Sequence, residues 1–110
     1  MSYQHRSLAA GRWDCLSFVE QMANIGSEVE RALNWQSKNN SEYAQKAFER
    51  ALELLDLTLD STKNFPRLKE IARLREAIVG YFIGDNQFKF TDESLRKYFL
   101  NFIFASRRLH

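Results

Sequence analysis

The sequence predicts an all-α fold, an antiparallel up-down-up-down four-helix bundle, and three observations carry that prediction. Apolar residues recur at helical spacing along most of the chain, with no apolar/polar alternation long enough to make a strand. Capping and turn residues interrupt the pattern near positions 14–17, 38–41, 61–66 and 84–91. The interruptions are short, so successive helices should be antiparallel neighbours. The expected organisation is a flexible N-terminal arm over residues 1–12, which contains Gly11 and no sustained period, then one helical domain over residues 13–110. Its helices should span about 14–38, 41–61, 65–83 and 91–108.

The first helix has the cleanest pattern. Cys15, Val19, Met22, Gly26, Val29 and Leu33 follow a 4-3-4-3-4 spacing that keeps all of them on one face. Its start lies between Trp13 and Ser17. Ser17 with Glu20 fits a capping box with Leu16 as the apolar staple, whereas Asp14 would cap an earlier start. Cys15 on the apolar face is expected to act as a small buried hydrophobe. Gly26, in mid-helix, costs stability and points to a close helix crossing there, or else to a local bend.

In the second helix Ala44, Ala47, Phe48, Ala51, Leu54, Leu55, Thr58 and Leu59 face one side, and the alanines permit close approach. The opposite side carries Glu42, Lys46, Glu49, Glu53, Asp56 and Asp60, read as a solvated stripe in which Glu42 and Lys46 form an i,i+4 pair. Pro66 falls where the first turn of the third helix tolerates it. That helix offers Leu68, Ile71, Ala72, Ile78, Val79 and Phe82 to the core, with Arg75 in the middle of the face. A permanently charged guanidinium buried there needs a carboxylate, for which Glu30 is the candidate; otherwise Arg75 lies near an open end and extends to water.

Gly84 to Phe90 is a turn-rich connection expected to fold over one end of the bundle, and Thr91 caps the last helix with Asp92 and Glu93 favouring its positive end. This helix is apolar nearly all round. Relative to Leu95, the residues Phe99, Phe102 and Ser106 lie within about 40°, while Leu100 and Phe104 lie about 140° and 180° away. One helix cannot direct both sides into one core. Leu100, Ile103 and Phe104, extended by Tyr81 and Leu74 of the third helix, are therefore the expected subunit interface of a homodimer; the competing expectation is that the connection over residues 85–90 or the N-terminal arm folds back over them within one chain.

Composition removes several function classes. Sixteen basic and 14 acidic residues leave a net charge of +2, which gives no strong pull toward nucleic acid or anionic lipid. No run approaches the roughly 18 apolar residues of a membrane span, and the first residues lack the apolar stretch of a signal peptide, so a cytoplasmic protein is expected. The one cysteine, with His5 and His110 at the two ends, provides no zinc spacing and no Cys-His catalytic pair. Glycines at 11, 26, 80 and 84 form neither a P-loop nor a dinucleotide-binding turn. The expectation is thus no enzyme, no metal and no cofactor. The best polar constellation is Glu28, Arg31 and Trp35 on the outer side of the first helix: a salt-laced surface, or a contact patch for a protein partner.

Glu20-Gln-Met-Ala-Asn-Ile-Gly-Ser-Glu-Val-Glu-Arg-Ala-Leu33 and Ala47-Phe-Glu-Arg-Ala-Leu-Glu-Leu-Leu55 resemble a family of small uncharacterised prokaryotic all-helical proteins. The resemblance extends from Leu8 through Phe104 and implies a fold without a site. The architecture is also similar to the HEPN superfamily, whose nuclease members use Arg followed by four to six residues and His. That pair is missing: Arg107 and Arg108 stand too close to His110, and His5 has no arginine before it. The leading expectation is a non-enzymatic helical module that self-associates and recruits a protein partner. The alternative is an RNA-binding accessory protein using Arg6, Arg12, Arg107 and Arg108 at the termini with Lys63, Arg67, Lys69 and Arg73.

Overall fold

The computed structural model describes residues 11–108. Among them the fold is all-helical: α1 Phe18–Ser37, α2 Ser41–Ser61, α3 Phe65–Ile83 and α4 Asp92–Arg108, with residues 11–14 helical ahead of α1 and no strand. Residues 1–10 of the expected arm, with Arg6 and His5, lie outside the described residues, as does His110; residues 11 and 12 belong to the helical turn.

The helix starts are set by local chemistry. Ser17 wins over Asp14 as the cap of α1, because the Glu20 amide donates to Ser17 Oγ at 3.1 Å while the Ser17 amide donates to Glu20 Oε1 at 3.0 Å. Asn40, Asn64 and Thr91 cap the next three helices through the amides of Tyr43, Arg67 and Ser94. Each accepted bond satisfies an amide that the first helical turn leaves without a partner. Asn39, at φ 60°, reverses the chain between α1 and α2, a conformation asparagine tolerates better than most residues.

This start corrects the expectation for Cys15. The helical period is broken at Ser17, so Cys15 falls in the turn ahead of α1 and is exposed. Trp13 takes the buried place instead. Its indole Nε1–H donates to Thr58 Oγ1 at 2.9 Å, and its carbonyl accepts from the Gln21 side chain at 2.9 Å. Thr58 passes its own proton to the Leu54 carbonyl at 2.8 Å, which leaves this polar chain satisfied inside the core.

Helix α1 is the central element, packed against α2 on one side and α4 on the other, while α3 packs on α2. Trp35 meets Tyr43 at one end of the α1–α2 pair, ring centroids 4.9 Å apart, and Trp13 meets Thr58 at the other. Between α2 and α3, Phe48 contacts Phe82 at 5.2 Å. Leu33, Leu55, Ile71, Ile78 and Leu95 are completely buried, each contributing about 1.5–3 kcal/mol. The close crossing expected at Gly26 is present: a Cβ built there would stand 2.7 Å from Phe99 Cβ.

Two other expectations change. The core face of α3 is centred on Ile71, Leu74, Ala77 and Ile78, so Ala72 is exposed and Arg75 moves to the edge. The connection after α3 does not cap an end of the helices. Its Phe88 and Phe90 line a hollow with Pro66, Lys69, Glu70, Arg73 and Leu74 of α3 and Tyr98 of α4, so the chain runs back between those two helices. Asn86 clamps it by donating to the Phe90 carbonyl at 2.8 Å and accepting from the Phe90 amide at 3.0 Å.

Candidate functional site

The two sides of α4 differ sharply. Leu95 is 0% and Phe99 2% exposed, against 43% for Leu100 and 49% for Phe104. Phe102 sits between these extremes, edge-on to Phe18 of α1 at 6.2 Å. Gly26 is the reason the inner side is sealed, because the absent side chain lets the Phe99 stem lie directly on the α1 backbone. Ile103 is half buried, and with Leu100 it lines a groove of about 640 Å³ together with Gly26, Val29, Phe99 and a charged rim. That rim consists of Glu30, Glu93, Arg96, Lys97 and Arg107.

Of the residues expected at the interface, Leu100, Ile103 and Phe104 share the outer part of α4. Tyr81 does not line their groove; it is half buried with its ring on Phe82 at 5.0 Å. Leu74, expected beside it, is buried in the core instead, because α3 is rotated to turn it inward. Leu100 and Phe104 stand one helical turn apart.

Arg75 is paired, but Glu30 is not its partner. Arg75 Nε donates to Asp56 Oδ1 at 2.8 Å, and both side chains are well exposed, at 38% and 41%. Glu30 pairs with Arg96 of α4, which also reaches Asn34 Oδ1 at 3.2 Å. The rotation of α3 that buries Leu74 carries Arg75 toward α2 and away from α1. Asp56 and Glu53 are accordingly less exposed than Glu42 and Lys46, which form the expected surface pair at 3.5 Å. Burial raises the Glu53 pKa, with the Glu49 and Asp56 charges adding to it and Arg50 opposing it.

Glu28, Arg31 and Trp35 do come together, in a second groove that includes Tyr43, Lys46 and Arg50. Arg31 donates to Glu28 Oε1 at 2.9 Å, and Lys38 and Lys46 lie over the Trp35 and Tyr43 rings at 5.2 and 5.6 Å. The Glu28 side chain is only 12% exposed, and its Oε2 is buried without a hydrogen-bond partner among the described residues.

The basic residues of the nucleic-acid alternative are dispersed. Lys63 and Arg67 line one hollow with Asp14, Lys69 and Arg73 another with Glu70, Arg12 a third with Glu28 and Glu53, and Arg107 the α4 groove with Glu30 and Glu93. Arg67 is further occupied by the Phe18 ring, 4.5 Å from its guanidinium carbon. A carboxylate in each hollow weakens the attraction for phosphate.

Among the described residues no cluster of three or more His, Cys, Asp or Glu side chains is placed to hold a metal, and no helix is long and apolar enough to cross a membrane. No protein-family model, no curated protein and no solved structure matches this chain.

Proposed function

We propose that the protein is a non-enzymatic helical module, an antiparallel up-down-up-down four-helix bundle, that self-associates as a twofold dimer through the outer side of α4 and recruits a protein partner. The observation that carries this reading is the joint exposure of Leu100 and Phe104 on a helix that buries Leu95 and Phe99 on its opposite side. Side chains left nearly half exposed on consecutive turns forfeit roughly half of the about 1.5–3 kcal/mol that full burial supplies, and a second copy of the same surface recovers it symmetrically. The connection between α3 and α4 is engaged beside Tyr98 on the other side of the helix, which supports leaving this surface to another chain.

Trp35 with Arg31 supports the partner role, since tryptophan and arginine are favoured anchors at interfaces. The proposed bundle resembles the HEPN superfamily in architecture, without the Arg and His pair of its nucleases. Sedimentation equilibrium tests the self-association: the wild type should be a dimer at micromolar concentration, and Phe104→Glu should give a folded monomer. A monomeric wild type would refute it.

A further inference from the structure

The outer side of α4 carries a charge pattern as well as an apolar one. Around Leu100, the residues Glu93, Arg96, Lys97, Ile103, Phe104 and Arg107 all fall within about 60° on the helix surface. Glu93 and Arg107 are opposite in sign and each seven residues from Leu100, so they flank it by about 10 Å on either side along the axis. Both are exposed, and neither takes part in an ion pair among the described residues. Arg96, by contrast, is already held by Glu30. The first turn of α4 is acidic through Asp92 and Glu93, and its last is basic through Arg107 and Arg108.

A twofold axis perpendicular to a helix sets each residue opposite the one equally far beyond the axis on the second copy. With the axis beside Leu100, the acidic first turn of one α4 meets the basic last turn of the other at both ends. Leu100 then packs on Leu100 of the second copy, and Phe104 comes level with Arg96 of the second copy, beside the aliphatic stem of its Lys97. Moving the axis to residue 102 instead sets Lys97 against Arg107 of the second copy, like charge against like. The apolar residues tolerate several alignments, and the charges select among them.

We propose that a second copy of this chain is the occupant of the α4 groove, docked with its α4 antiparallel about a twofold axis at Leu100 and held in register by Glu93 against Arg107 of the second copy. This inference rests on the self-association reading above and specifies its geometry.

Two experiments test it on the full chain. In the first, dimer dissociation constants are measured at low salt for Glu93→Arg, Arg107→Glu and the double reversal. Each single reversal places like charges at both symmetric ends and should weaken the dimer about tenfold, whereas the double variant should recover wild-type affinity. In the second, a Cys15→Ser background removes the exposed native thiol, and Leu100→Cys is oxidised beside Phe104→Cys. Leu100→Cys should cross-link readily. Phe104→Cys should not, because its counterpart is displaced by about 12 Å along the axis, beyond the roughly 7 Å a disulfide spans. Single reversals with unchanged affinity, or Phe104→Cys cross-linking ahead of Leu100→Cys, would overturn the register while leaving a dimer in place. A wild type that stays monomeric at low salt would overturn the self-association itself.

Discussion

Replacing Gly26 with alanine should destabilise the protein, although the same exchange in an ordinary helix interior stabilises by about 1 kcal/mol. The new Cβ would lie 2.7 Å from Phe99 Cβ, 2.9 Å from Cγ and 3.0 Å from Cδ1. These atoms form the stem of the Phe99 side chain, so no terminal rotation relieves the overlap. Reaching a normal carbon contact of about 3.6 Å requires α1 and α4 to part by roughly 1 Å, a gap that forfeits a quarter to a half of the dispersion energy of the atoms it separates. Overpacking of this type costs about 1–3 kcal/mol, and the gain in helix propensity offsets about 1 kcal/mol of it, so the net loss should reach up to about 2 kcal/mol. Gly80 supplies the control. It is helical, its nearest neighbours to an added Cβ lie at 3.8 Å, and Gly80→Ala should be neutral or stabilising by up to about 1 kcal/mol. Urea unfolding of both variants at fixed protein concentration reads the difference directly. A Gly26→Ala protein more stable than wild type, with an unchanged m-value, would refute the close-crossing argument.

Thr58→Val should cost about 1–3 kcal/mol by leaving the buried Trp13 indole N–H without an acceptor, and Thr58→Ser should lose less in the same unfolding assay. Asp56→Asn should change stability by only about 0–1 kcal/mol, because the Arg75 it releases is partly in water; a loss above about 3 kcal/mol would show that the pair is desolvated in solution. Tyr98 donates to Glu70 Oε2 at 2.7 Å, and its pKa is raised first by burial and then by that hydrogen bond and the Glu70 charge. An acid whose folded pKa is raised contributes stability below its unfolded pKa of about 10 and loses it as pH rises through the folded value. The absorbance of ionised tyrosine should therefore report Tyr98 still protonated at about pH 11, and Tyr98→Phe should flatten the alkaline fall in stability. The exposed Cys15 should react with a thiol reagent in the native protein at a rate near that of the unfolded chain, whereas slow, unfolding-limited labelling would place it in the core.

What the sequence determined by itself was local: where most helices start and stop, and which residues share a face within a helix, although the start of α1 stayed open between Asp14 and Ser17 and misplaced Cys15. Ser17 with Glu20, Pro66, Thr91 and the asparagines near residue 39 act within one turn of themselves, so their effect is readable without knowing the fold. The two-sidedness of α4, with Leu95 and Phe99 inward and Leu100 and Phe104 outward, follows equally from angle alone. The tertiary structure decided how each helix is rotated against its neighbours. That rotation makes Leu74 core and carries Arg75 to Asp56, nineteen residues away on α2, and it gives Glu30 to Arg96 on α4. It also brings Trp13 onto Thr58, a hydrogen bond spanning 45 residues. A periodic pattern defines directions around one helix axis, whereas partners across helices depend on crossing angles, which are set by the mutual fit of side chains from several elements at once.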